Sequence, residues 1–329
     1  VLEAVLLFVG RVELTIIVFT SVEKKHNFRV FTLAAMSSTI SEEERFYSVM
    51  ESGTNVNSHE EAAKAAKPIG VFDSGVGGLP YLARIRELLP DENYVYMADR
   101  ANFPYGEKDD DLLRELVVEA VGRLIDRCDP KLMVIACNTA SVVALDELRR
   151  RYQVPFVGVV PAIKPAAEIS RRRAIGVLAT RRTVEDPYTD SLIREYAESC
   201  SVARYAGVDI VEFVEKHYPK VDLQRQEEVL QPAVDYFRAR GVDTLVVACT
   251  HFIYVEEALS GMLGAATQVI DSRDGVARQV RRILEKHGRK GKFTDQSRRE
   301  DLFFTSRDEE QSRYRNFAEM YRLKWGGEP

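Results

Sequence analysis

LMVIACNTAS (Leu132–Ser141) and TLVVACTHF (Thr244–Phe252) are the two stretches that decide how this chain folds. Each is a short apolar run, rich in β-branched residues, that ends in Ala-Cys and passes at once into polar residues able to open a helix. Runs of this kind, without polar alternation, read as strands covered on both faces, as in a parallel sheet flanked by helices. In such sheets the ligand crevice lies beyond the carboxyl ends of the strands. The pattern therefore puts Cys137 and Cys249, 112 residues apart, at two crevice-facing strand ends in matching settings.

From Pro68 onward the rest of the chain follows the same pattern. Strands are expected at Ile69 to Phe72, Tyr94 to Ala98, Leu132 to Ala136, Phe156 to Val159, Ala174 to Leu178, Val202 to Tyr205, Thr244 to Ala248 and Gln268 to Ile270, with helical stretches between most of them. A second echo pairs VFDSGVGG at Val71 with VIDSRDGV at Val269, both strand-Asp-Ser-turn. The expectation is an α/β molecule of two pseudo-symmetric lobes with parallel-type sheets and a cleft between them, without the short periods of a solenoid.

Composition narrows the function. The 329 residues are 45% hydrophobic and 29% charged, an ordinary globular balance, and the net charge of −5 offers no footing for nucleic acid. Four cysteines with no CxxC pair make neither a disulfide framework nor a zinc site. A reducing, cytoplasm-like compartment is expected. The first 67 residues differ from the rest. VLEAVLLFVGRVELTIIVFTSVEKKHNF is apolar but interrupted by Glu3, Arg11 and Glu13, which removes any 18-residue membrane span, and it lacks a signal peptide's basic start. Met36 to Lys67 turns polar, as a mobile leader does.

Asp73, Cys137, Cys249 and Asp271 all fall at expected strand ends, with Ser74, Asn138, Thr139, Thr250 and His251 immediately after. Helices opening there aim N–H groups and positive dipole ends at the crevice, which favours a carboxylate ligand and lowers a thiol's pKa from about 8.5 towards neutrality. Cys128 and Cys200 lack such neighbours and read as small buried hydrophobes. His251, two residues after Cys249, can accept or hold that thiol's proton, whereas His26, His59, His217 and His287 read as surface residues. In DSGVGGL the glycines suit a tight strand-to-helix turn and close ligand approach, but no GK[ST] follows to make a nucleotide loop.

DSGVGGL, FPYG, CNTAS and CTHF, in this order, resemble the glutamate racemases of the cofactor-independent amino-acid racemase superfamily over Pro68 to roughly Leu323. IGVLATRRTV at Ile175 and FFTSRD at Phe303 are similar to further family segments. The resemblance implies inversion of glutamate between two thiols without cofactor or metal, one cysteine removing the Cα proton and the other returning one on the opposite face. Cys137 would act on D-glutamate with help from Asp73, and Cys249 on L-glutamate with help from His251. Ser74, Pro104, Tyr105, Gly106, Asn138, Thr139 and Thr250 would hold the substrate. The physics is consistent: inversion needs two opposed acid/base groups, since a single base returns the proton to the face it left.

The resemblance also sets a first lobe at 68–159 plus 274–329, a second at 160–273 with Pro161 and Pro165 near a hinge, and 1–67 outside both. It implies D-glutamate for peptidoglycan and a homodimer acting in the cytoplasm, with an organelle as the alternative if the leader targets it. No stable membrane insertion is expected. Two departures stand out. The usual stretch before the family's auxiliary glutamate reads YAGVDIVEFVEKHYP, where Glu215 is the first placement and Glu212 the second; and CTHFIYV carries Ile253 in place of a proline. Aspartate racemase is the near rival, opposed by His251, because those relatives commonly place Glu after Cys-Thr. A binding protein such as a gyrase-binding regulator is the remote rival, and a binding surface needs no opposed thiols.

Overall fold

The computed structural model describes residues 2–8, 14–22, 25–33, 65–288, 291, 301–305 and 311–329. The chain forms two compact units, 1–59 and 60–329. In the first, β1 (Leu2–Phe8), β2 (Leu14–Val22) and β3 (Lys25–Leu33) form an antiparallel three-stranded sheet. These strands were not expected from the sequence. Charges that disqualify an 18-residue helix leave strands of 7 and 9 residues intact. The segment expected to be a mobile leader lies outside the described residues, apart from its last three.

The second unit holds two sheets. β4 (Ile69–Asp73), β5 (Tyr94–Ala98), β6 (Leu132–Ile135), β7 (Phe156–Gly158), β12 (Leu302–Thr305) and β13 (Lys324–Gly327) pair in the order β13-β12-β5-β4-β6-β7. β8 (Ala174–Ala179), β9 (Ser201–Ala206), β10 (Thr244–Val247) and β11 (Gln268–Ile270) pair in the order β11-β10-β8-β9. Every neighbouring pair in both sheets is parallel. Helices cross between consecutive strands, as parallel pairing requires.

The strands are apolar throughout because both faces are covered. On β6, Leu132 and Val134 face one core while Met133 and Ile135 face another; on β10, Leu245 and Val247 turn towards the first core and Val246 towards a third. That first core draws on both sheets, joining Val76 and Tyr96 of one to Phe213, Phe252 and Leu245 of the other. β12 and β13 went unread. Each is four residues long, and β13 spends two of its four on glycine.

The two Ala-Cys junctions leave their sheets in the same way. The Ala136 amide donates to the Phe72 carbonyl at 2.8 Å and the Ala248 amide to the Leu178 carbonyl at 2.8 Å, each from the residue that ends its ladder. The next residue, Cys137 or Cys249, is thereby freed at the carboxyl end of the sheet.

Candidate active site

The carboxyl ends of the two sheets meet. From β4, Asp73 accepts from the Gly75 amide at 2.9 Å with one oxygen and from the Thr250 hydroxyl at 3.0 Å with the other. The Val76 amide donates to Glu215 Oε1 at 2.9 Å, and the Tyr254 hydroxyl donates to the Val76 carbonyl at 2.9 Å. The DSGVGG turn of the first sheet is thus bonded to the segment after β10 and to the helix Val208–His217.

This packing explains the glycines. A Cβ on Gly75 would lie 2.0 Å from Glu215 Oε1, and one on Gly77 would lie 2.4 Å from Thr250 Oγ1 and 2.8 Å from His251 Nδ1. Neither glycine has a positive φ. The two glycines lie against Glu215, Thr250 and His251 of the other half.

Around Cys249 the groups form a chain. His251 Nδ1 lies 3.9 Å from Cys249 Sγ, and its Nε2 lies 2.6 Å from Glu215 Oε1. The Tyr314 hydroxyl donates to Glu215 Oε2 at 2.9 Å. Burial opposes charge on His251, but its hydrogen bonds to Cys249 and Glu215 and the Glu215 carboxylate outweigh burial and hold its proton affinity well above imidazole's ordinary value. Burial likewise opposes ionisation of Glu215, and the His251 bond, with the Val76 and Tyr314 donors, lowers it below the usual carboxylate value. Glu215 and His251 form a buried ion pair. Glu212, the second placement, faces outward and pairs with Lys216. The residues after Cys249 open as a 3-10 turn, Thr250–Val255, before the α-helix Glu256–Leu263 begins.

Around Cys137 the arrangement differs. Its thiol donates to Ser74 Oγ at 3.8 Å, and it caps the helix Asn138–Arg151. Burial pushes this thiol up to about 12, with the Asp73 carboxylate adding to the rise; the Ala140 amide and Ser74 pull the other way and lose. The expectation of a thiol lowered towards neutrality is corrected here: a helix start favours thiolate only where burial does not dominate. Burial also raises Asp73, to about 6, despite the opposing pull of His251.

The remaining expected residues divide. Asn138, 4% exposed, has both its amide oxygen and its amide nitrogen without a partner among the described residues. Ser74, Thr139 and Thr250 are also buried. Tyr105 packs in the same core as Cys137, but its hydroxyl donates to Asp99 at 2.5 Å. Pro104 and Gly106 flank it, half-buried and exposed, and Phe103 packs 6.1 Å from the His251 ring. Cys128 and Cys200 are half-buried, less hidden than expected; His217 and His287 are exposed, while the side chains of His26 and His59 lie outside the described residues. Asp271, the sequence echo of Asp73, bonds Arg273 and lines a separate groove of about 900 Å³ whose walls include neither cysteine. The repeat therefore extends to the thiols but not to the aspartates. Among the described residues no cluster of three or more His, Cys, Asp or Glu is placed for a metal ion, and no helix is long and apolar enough to cross a membrane.

The profile of the Asp/Glu/Hydantoin racemase family matches residues 78–280. The chain belongs to the Asp/Glu/hydantoin racemase family. Among its relatives, a glutamate racemase of Shewanella denitrificans is 43% identical over 220 residues, 66% of this chain and 78% of that protein. One from Glaesserella parasuis is 42% identical over 217 residues, 65% of this chain and 80% of that protein. A crystal structure of Escherichia coli glutamate racemase, in complex with L-glutamate and the activator UDP-MurNAc-Ala, superposes with a TM-score of 0.71 at 35% identity, covering 80% of this chain and 98% of that one. As a racemase-family member the chain is an enzyme of the isomerase class, and its two parallel sheets are the family's fold.

Tyr314, Val76 and Tyr254 were not anticipated. Val76 bonds through its backbone, so its side chain carries no signal, and Tyr254 reaches a carbonyl 178 residues away. Tyr314 is one of 14 tyrosines, in the helix Gln311–Met320, and nothing local marks it.

Proposed function

We propose that this chain interconverts L- and D-glutamate by proton transfer at Cα between Cys249 and Cys137. The observation that carries this reading is the Thr250–Asp73 bond, through which the residue following one cysteine grips the carboxylate grouped with the other. Each thiol then has its own proton partner, Asp73 for Cys137 and the His251–Glu215 pair for Cys249. The partners differ in kind, a neutralisable acid on one side and a buried cation on the other. Such a division suits two faces of one carbon that trade roles as the direction of reaction reverses.

The unspent amide of Asn138 and the hydroxyls of Ser74, Thr139 and Thr250 supply donors and an acceptor for the substrate's carboxylates and ammonium. Burial of the thiols, 6% exposed each, keeps water from the carbanion that forms. Glutamate rather than aspartate is supported by His251 after Cys-Thr and by the glutamate racemases among the relatives. D-glutamate supplied for peptidoglycan, action in the cytoplasm and association as a homodimer belong to the same proposal.

The test is to feed purified protein L-glutamate and L-aspartate separately and follow optical rotation, with Cys137→Ser and Cys249→Ser beside wild type. Loss of glutamate inversion in both variants supports the reading. Near-full activity in either variant, or a preference for aspartate, overturns it.

A further inference from the structure

The C-terminal helix Gln311–Met320 belongs to the six-stranded half, between β12 and β13, yet it grips the other half at the end of the helix that carries Glu215. Arg313 donates to the Val214 carbonyl at 3.0 Å, which also accepts from the Tyr218 amide, and to the Tyr218 carbonyl at 3.5 Å, at the carboxyl end of the helix Val208–His217. Tyr314, 1% exposed, sends its hydroxyl to Glu215 Oε2 at 2.9 Å. With Oε1 already taken by His251 and the Val76 amide, both carboxylate oxygens are engaged. The Tyr314 ring packs 6.3 Å from Phe303 of β12, which stacks on Trp325 of β13. The hydroxyl is therefore fixed by the sheet behind it.

We infer that Tyr314 is a positioning residue for the Cys249 side of the reaction: it holds Glu215 so that the carboxylate orients His251 towards Cys249. The inference rests on the two-thiol reading above and adds a residue to one side of it. A carboxylate gripped by one oxygen can rotate, and rotation would carry Oε1 away from Nε2. Held by both, it fixes the imidazole's ring plane as well as its charge. Because Tyr314 acts through Glu215, its loss should slow the half-reaction at Cys249 and leave the other untouched.

Tyr314→Phe keeps the ring and removes the hydroxyl. The measurement is the isotope effect of Cα-deuterated glutamate on kcat/KM in each direction, with Glu215→Gln as comparator. Slowing proton removal by Cys249 makes that step more limiting, so the effect should grow for deuterated L-glutamate and shrink for deuterated D-glutamate. kcat/KM should fall about tenfold, as on losing one hydrogen bond to a charged group. The Tyr314 bond favours ionised Glu215, so its loss should also move the acid limb of the pH profile to higher pH. Difluorotyrosine at position 314, a stronger donor of the same shape, should move that limb to lower pH, which keeps the test open should the Phe variant fold poorly.

Equal isotope effects in both directions and an unmoved acid limb for Tyr314→Phe, with asymmetry in Glu215→Gln, would overturn the role of Tyr314 alone. Symmetry in both variants would remove the His251–Glu215 pair from the Cys249 side, and Tyr314 with it. Retained activity in Cys249→Ser would instead overturn the two-thiol reading beneath.

Discussion

The Thr250 hydroxyl lies 3.0 Å from Asp73 Oδ2, so the carboxylate that raises Cys137 is held by the residue adjoining Cys249. Asp73 titrates near 6 in the fold against 3.8 as an ordinary side chain, chiefly through burial. Between those values the folded protein binds a proton that the unfolded chain does not. Wild-type stability should therefore fall as pH rises from about 4 to about 6, by at most about 3 kcal/mol from this group. Asp73→Asn should flatten that slope and lower kcat/KM. Urea unfolding across this range checks the first outcome, and an unchanged slope in the variant would assign the titration to another group.

Glu215→Gln removes one of the two groups that raise His251, leaving its bond to Cys249. The imidazole's proton affinity should then drop by an amount visible in nitrogen NMR of histidine-labelled protein. kcat/KM should fall at least about a hundredfold if the pair serves as general acid and base. The sign of the stability effect follows from both partners. Glu215, lowered from 4.5, contributes above that value, and His251, raised from 6.5, contributes fully below that one. The difference between wild type and variant should be greatest between pH 4.5 and 6.5 and shrink on both sides.

Gly75→Ala should be severe for a steric reason. Its Cβ would overlap Glu215 Oε1 at 2.0 Å and approach His251 Nε2 at 3.2 Å. A stability loss of about 1–3 kcal/mol is expected, with activity reduced beyond it because the overlap falls on the acid/base pair. Gly106, where an added Cβ meets nothing within 4 Å, is the control; alanine there should cost less than about 0.5 kcal/mol. Thermal unfolding of the two variants decides this, and equal losses would refute it.

Much of this was legible before any coordinates. Each strand at the two Ala-Cys junctions announced itself by a short apolar run rich in β-branched residues, and the candidate site was read at the strand ends because parallel sheets put ligand crevices there. Glu215 could be picked from its stretch only through family likeness. The choice over Glu212 is visible in the fold, where three residues along the helix turn one carboxylate inward and the other outward. The raised Cys137 thiol was hidden, because sequence shows the helix start but not the depth of burial opposing it. Tyr314 was hidden for a different reason, since its partner lies 99 residues away.

Arg182, after β8, reaches across to the six-stranded half, donating to the Lys108 carbonyl at 2.7 Å and pairing with Asp110. Lys108 closes the turn that carries Tyr105 beside Cys137. Arg182→Ala should let the two ends part more often, so iodoacetamide should alkylate the buried thiols several-fold faster, and glutamate should restore protection. Unaltered alkylation would show that this contact does not control access.

Deuterium incorporation during turnover in D2O bears most directly on two sulfurs serving one carbon. Starting from L-glutamate, the first D-glutamate formed should carry one deuterium at Cα, while the remaining L-glutamate stays protiated at early times, because the thiol that donates is not the one that received. Inversion with protium retained in the product, or equal labelling of both pools from the outset, would mean that a single group serves both faces.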